Sequence, residues 1–297
     1  MLAETLLARL GRGRPLVSDG AIGTMLIDRG LKAGLAPESF NLENTEALEE
    51  IARLYFDVGA DIVHTNTFGG SSLKLTSHHL GDRVEDINRN AISAVKSVAP
   101  EQGIVSMSCG PTGMILKPYG DADPEAVYES FQQQLAIAVD AGADAVTIET
   151  MIDLEEAKLA VKAAKSVSGS IPVLATMTFD DTPKGFYTIM GVSIEKAAQG
   201  LGAAGADVVG SNCGNGIETM VKIAREFTKV TDLPLLIQAN AGLPELRDGS
   251  AVYPETPEFM AEKAEELEEM GVAVIGGCCG TTPQHIKVLR QMLDSRQ

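Results

Sequence analysis

The sequence predicts a single (β/α)8 TIM barrel occupying residues 1–297. Three observations lead there. Short apolar runs rich in β-branched residues alternate with longer amphipathic runs along the whole chain. A Gly-Ala-Asp echo recurs at Gly59-Ala60-Asp61, Gly142-Ala143-Asp144 and Gly205-Ala206-Asp207, each time between a helix end and a strand, with Gly271-Val272 in the same place before the last strand. No low-complexity linker or shift in composition divides the 297 residues, a length that suits one barrel of this type.

The strand candidates are 16–18, 61–68, 104–111, 145–150, 173–179, 207–213, 235–242 and 272–279. Most are continuous apolar runs, as expected of parallel strands covered on both faces. Helical periodicity fills the intervals at 44–58, 84–98, 124–141, 153–166, 193–204, 217–229, 257–270 and 283–294. Glycine at the helix–strand joints fits a helix C-terminus, because it adopts positive φ without steric penalty. A doubly wound open sheet is the structural rival. Its phosphate cradles would be the Gly-rich turns at 20–23 and 110–113, and neither has the spacing of a dinucleotide fingerprint or a P-loop.

With 44% hydrophobic and 22% charged residues, the composition is that of a soluble globular protein. A net charge of −17 argues against nucleic acid and anionic membrane as partners. No stretch approaches a transmembrane helix. The start MLAETLLARLGRGRP mixes acid and base and lacks a cleavage site, so a cytoplasmic location is expected. Four cysteines are too few for a disulfide scaffold and are expected reduced, buried or metal-bound.

In such a barrel the chemistry sits at the C-terminal strand ends. Here they read Asp19-Gly20, Asn66-Thr67, Cys109-Gly110, Glu149-Thr150, Thr178, Asn212-Cys213, Asn240 and Cys278-Cys279. Polar and sulfur residues therefore gather on one rim above apolar strand interiors. Cys213 closes the sixth strand and Cys278 and Cys279 close the eighth, so barrel geometry brings the three together. Consecutive strand residues point to opposite faces, so the Cys-Cys pair must lie at a break, and Gly276, Gly277 and Gly280 supply one. Three thiolates suit Zn²⁺, and three protein ligands leave a fourth tetrahedral position open, the pattern of a catalytic site. Two other readings are three small buried side chains and a vicinal disulfide.

The chemistry of that set is specific. A free thiol is mostly protonated at neutral pH, and coordination to zinc removes its proton. Thiolate ligands overcompensate the ion's charge, so a bound substrate sulfur keeps its electron density. That favours attack on an electrophilic carbon over activation of water.

At these residues the chain resembles the homocysteine S-methyltransferase family. The likeness spans nearly the whole chain and rests on SDGAIGTML (18–26), GADIVHTNTFGG (59–70), GPTGMILKPYGD (110–121), IETMIDLEEA (148–157), GSNCGNG (210–216), QANAGLP (238–244) and GGCCGTTPQHI (276–286). It is strongest to the homocysteine module of the cobalamin-dependent branch. The resemblance implies Cys213, Cys278 and Cys279 as zinc ligands. It implies that Asp19-Gly20 and Glu149 hold the amino acid part of homocysteine, with Asn66 and Thr67 as further rim contacts. Asn240 corresponds to a residue that lends an oxygen to zinc when no thiol is bound; a loop-capping role is the equal alternative. Cys109 stands where relatives carry an apolar residue and is expected as a buried neutral thiol.

The remaining candidates are structural or weak. His64 is expected as a satisfied barrel residue, His285 as a helix cap, and His78 and His79 as solvated side chains. The glutamate-rich run 255–270 is an exposed helix face or a docking surface for a corrinoid protein. Because folate- and cobalamin-binding modules are not seen within 1–297, the methyl donor is expected to be a methyl-corrinoid (methylcobalamin type) on a partner protein. Alternatives are a small donor such as S-methylmethionine or betaine, and the reverse demethylation of a methylated thiol. A zinc-binding regulatory subunit is the non-enzymatic alternative.

Overall fold

Eight parallel strands form the sheet of the computed structural model, which describes residues 5–10, 13–32, 34–247 and 250–296. They are β1 (Leu16–Val17), β2 (Ile62–His64), β3 (Ile104–Cys109), β4 (Ala145–Met151), β5 (Val173–Met177), β6 (Val208–Asn212), β7 (Leu235–Ala239) and β8 (Val274–Gly277). Each pairs with its sequence neighbour, and β1 also pairs with β8. A parallel bridge between Ser18 and Ile62, with the Asp19 N–H donating to the Ile62 carbonyl at 3.0 Å, joins β1 to β2 and closes the ring. Eight main helices follow the strands: α1 (Thr45–Asp57), α2 (Val84–Val98), α3 (Pro124–Asp140), α4 (Leu154–Val167), α5 (Ile194–Ala204), α6 (Ile217–Phe227), α7 (Pro257–Glu269) and α8 (Pro283–Ser295). The (β/α)8 barrel expected from the alternating pattern is therefore the fold, and the open-sheet rival is excluded.

The Gly-Ala-Asp echo has a mechanical explanation at the N-terminal end of the barrel. Gly59, Gly142 and Gly205 all take positive φ and end a helix. The aspartates then pin the preceding strand in the ring. Asp61 accepts the Val17 N–H at 2.9 Å, Asp144 that of Val105 at 2.9 Å, and Asp207 that of Val173 at 2.8 Å. Each carboxylate also has a cation: Arg9 and Arg290 on Asp61, Lys96 on Asp144, and Lys165 on Asp207.

The barrel interior is layered, because inward residues recur at every second position. The bottom layer takes one apolar side chain from each strand: Leu16, Ile62, Ile104, Ala145, Leu174, Val208, Leu236 and Val274, capped by Leu6 of the short helix Leu6–Leu10. Two residues further on, the same parity gives Ser18, His64, Ser106, Thr147, Thr176, Gly210, Gln238 and Gly276. This second layer is tied across strands by Ser106 Oγ–Thr147 Oγ1 at 2.7 Å and by Gln238 Nε2 donating to Ser18 Oγ at 3.1 Å. Gly276 has to be glycine, since a Cβ there would lie 1.8 Å from Ser18 Oγ. Another step up places Ser108, Glu149, Asn212 and Cys278 at the mouth. The apolar plug thus forces polar chemistry to one end.

Most of the expected strands run past the observed ones at their C-terminal ends, because the chain leaves the ladder to build the rim. Two rim hairpins, Asp180–Thr182 with Gly185–Tyr187 and Glu245–Arg247 with Ser250–Val252, lacked an apolar run to announce them. Replacing Leu236 by Ala should cost about 3 kcal/mol, since the closed plug collapses poorly around a void. Urea unfolding checks this, and a loss within about 0.5 kcal/mol would contradict the plug.

Candidate metal centre

Cys213, Cys278 and Cys279 converge at the mouth, their sulfurs all within 4.8 Å of one another. They are free thiols, and the Cys213 and Cys279 sulfurs lie 3.8 Å apart. Only Cys278 has the strand parity to point inward. Asn212, the last residue of β6, takes the inward position there, and Cys213 then adopts a left-handed φ of 62° that turns its side chain to the cavity. For a non-glycine residue this conformation carries strain. At the other strand, Cys278 keeps the ladder by donating its N–H to the Ala239 carbonyl at 2.7 Å. Cys279 leaves it, and its N–H donates to Asn240 Oδ1 at 3.1 Å. Gly280 permits the turn: its φ is 78°, and a Cβ would meet the Tyr253 ring at 2.0 Å.

The three thiols share protons unequally. Hydrogen bonds from Cys213 and Cys278 hold Cys279 below the usual thiol range, with Tyr253 helping. Its sulfur neighbours push Cys278 well up. Among the described residues, no Lys, Arg or His hydrogen-bonds to a sulfur of the trio. Three convergent soft donors without a cationic hydrogen-bond partner among the described residues fit a thiophilic divalent ion such as zinc.

These sulfurs form one wall of a cavity of about 490 Å³. Asp19, Gly20, His64, Ser108, Glu149 and Gln238 line it further in. Asp19 is held rigidly: one oxygen accepts the His64 backbone N–H at 2.8 Å and the other lies 2.6 Å from His64 Nδ1. The other ring nitrogen reaches Thr147 Oγ1 at 3.0 Å. Burial works against the charge on His64, but Asp19, with help from Glu149, outweighs it and carries the imidazolium up to about 9. Burial raises the Glu149 carboxyl, opposed by His64 and by a 2.5 Å hydrogen bond from Ser108 Oγ.

The other expected contacts divide. Gly20 and Asn66 line the cavity, but the Asn66 amide donates to the Pro37 carbonyl and Asn41 Oδ1, both at 2.8 Å. Thr67 is fully buried with its hydroxyl on the Ser108 carbonyl at 2.7 Å and is not among the lining residues. Asn240 uses its oxygen on Cys279 N–H, as a loop-capping asparagine would. Cys109 is fully buried, its thiol pushed up by burial, with Sγ 3.6 Å from Gln134 Oε1. His285 completes a capping box with Thr282. On α7 the glutamates Glu265, Glu266 and Glu269 are engaged by Arg296 and Arg225, which leaves less of a free acidic face. Sequence reading placed Asn212 on the rim without a role, and it missed Tyr253 and the charge on His64. Inward parity along β6 could have singled out Asn212.

The His64 charge gives a prediction with a defined sign. Its pKa is raised on folding, so its stabilising effect is complete below about pH 6.5 and lost as pH rises through about 9. The stability gap between the protein and His64→Gln should therefore narrow across that window by up to about 3 kcal/mol. Urea unfolding at both pH values would contradict the ion pair if the gap stayed constant.

With this geometry in hand, comparison with known proteins is informative. The homocysteine S-methyltransferase family model matches residues 16–293. The chain is 34% identical over 305 residues to methionine synthase of Mycobacterium leprae and 34% over 293 residues to that of Mycobacterium tuberculosis. These alignments cover 96% and 92% of this chain but 24% of each relative, so the chain spans about a quarter of the length of the curated relatives it matches. Among solved structures, the metallated homocysteine methyltransferase MmuM from Escherichia coli aligns with a TM-score of 0.80 at 20% identity, covering 96% of this chain and 98% of that one. Its apo form aligns at 0.74. At that identity the structural likeness speaks for the fold, while the family model, matched across nearly the whole barrel and through all three cysteines, shows that the chain belongs to the homocysteine S-methyltransferase family.

Proposed function

We propose that this chain is a zinc-dependent S-methyltransferase that methylates the thiol of L-homocysteine, with a methyl-corrinoid protein as donor. One observation carries the reading: three convergent sulfurs and the carboxylates of Asp19 and Glu149 open into the same cavity. Cys213, Cys278 and Cys279 would hold the metal. Zinc bound there supplies a Lewis-acidic centre that lowers the pKa of a thiol brought to its open position. Asp19 and Glu149 receive the ammonium end of the amino acid, and His64 keeps Asp19 fixed and offsets the carboxylate charge. In the overall transfer the substrate sulfur forms a bond to the methyl carbon. The donor–carbon bond breaks with its electron pair on the donor, and the thiol proton goes to solvent.

A protein-borne donor is favoured by the surface around the mouth. Phe68, Ile115, Tyr119, Ile189, Leu243 and Leu246 stand exposed on loops that follow the strands. Exposed apolar side chains on segments that all follow strands at this end of the barrel suit a partner surface. The small-donor alternative, S-methylmethionine or betaine, draws on the cavity itself, which runs on to Glu38, a carboxylate able to attract a sulfonium or quaternary ammonium centre. A reducing, cytoplasmic setting suits the free thiols. No helix among the described residues is long and apolar enough to cross a membrane.

The test is methyl transfer to L-homocysteine from methylcobalamin, S-methylmethionine or betaine, with zinc content measured in parallel. Turnover with methylcobalamin well above the other two is expected. Cys278→Ala should lose zinc and activity together. A zinc-loaded protein giving no S-methyl product with any donor overturns the reading, and one zinc per chain retained in Cys278→Ala overturns the ligand assignment.

A further inference from the structure

Asn212 occupies an unusual place. It is fully buried at the end of β6, and every polar atom of its side chain is engaged. Its Oδ1 accepts the Thr150 N–H and the Thr176 hydroxyl, both at 2.7 Å. Its Nδ2 faces Thr150 Oγ1 at 2.8 Å, Glu149 Oε2 at 3.2 Å and Cys278 Sγ at 3.8 Å. One planar amide therefore touches both the sulfur wall and the carboxylate wall of the cavity.

Its grip on Thr150 is also needed for the backbone. Thr150 has a φ of 58°, a conformation that a β-branched residue rarely adopts. The Asn212 side chain accepts the Thr150 N–H and donates to the Thr150 hydroxyl; the two bonds hold that turn, which directly follows Glu149. The next residue after Asn212 is Cys213, itself left-handed with a φ of 62°. Two strained residues, one on β4 and one just past β6, with β5 between those strands, are thus tied to a single residue that reaches across the mouth, the arrangement expected where the surroundings fix a functional geometry.

We propose that Asn212 is a positioning residue that sets the span between the sulfur centre and Glu149, and so selects thiol amino acids by chain length. The inference rests on the proposed homocysteine reading. Homocysteine has two methylenes between its Cα and its sulfur, and cysteine has one. A ligand anchored at the carboxylate wall by its ammonium and at the metal centre by its sulfur must match that span. A fixed gap rejects the shorter thiol, which can satisfy one anchor only. Loosening the amide lets the walls approach and weakens the rejection. A methylene is worth about tenfold or more in discrimination in a rigid site.

The test compares L-homocysteine and L-cysteine binding to the zinc-loaded protein by isothermal titration calorimetry under reductant, with zinc content read in parallel. Asn212→Asp keeps the oxygen that Thr150 and Thr176 use and removes the amide donors. It should retain zinc while the homocysteine-to-cysteine affinity ratio falls by about tenfold. Thr176→Val, nearly isosteric within β5, removes one anchor of the amide and should lower the ratio by a smaller factor, about threefold. A ratio unchanged in a variant that folds and holds one zinc overturns the inference, as does an equal weakening of both thiols, which is the mark of a purely structural role. Wild-type protein that binds zinc but neither thiol instead refutes the homocysteine reading itself.

Discussion

Three sulfurs held within 4.8 Å of one another set the terms for the rest of this molecule. Such a cluster cannot ionise fully by itself, because like charges at that distance oppose one another. Among the described residues, no basic side chain hydrogen-bonds to any of them. It spends backbone strain at Cys213, a strand break at Cys279 and a glycine beneath the Tyr253 ring to keep them together. The arrangement makes chemical sense when a cation completes it. The family membership and the carboxylates across the cavity point the same way.

The barrel makes that cluster possible through parity. Inward positions carry an apolar plug at the bottom, a hydrogen-bonded polar layer above it and the site at the mouth. Ser106, Thr147 and His64 form a continuous bridge from the second layer to Asp19. The carboxylates of Asp19 and Glu149 that line the cavity are thus tied to the sheet. The loops supply the exposed apolar rim instead.

Much of this was legible in the sequence, for physical reasons. Strands covered on both faces are mostly apolar, so all eight stood out. The Gly-Ala-Asp echo marked the joints, although its purpose, an aspartate pinning the preceding strand's N–H, joins residues more than thirty positions apart and shows only in the fold. The cysteines announced themselves by type and by flanking glycines. What stayed hidden depends on distant partners. His64 read as an ordinary barrel residue, because its charge comes from an aspartate 45 positions away. Asn212 stood on the rim beside Cys213 without a role, since its side-chain partners come from β4, β5 and the end of β8. Thr67 looked like a rim contact until its hydroxyl was seen to turn back onto the Ser108 carbonyl.

The central claim is that the cysteine trio is a metal centre with one position left for the substrate thiol. Zinc K-edge X-ray absorption on the metal-loaded protein tests it most directly. The account predicts three sulfur neighbours at about 2.3 Å, rising to four when L-homocysteine is added. Fewer than three sulfurs, or a sulfur count unchanged by saturating L-homocysteine, would contradict it.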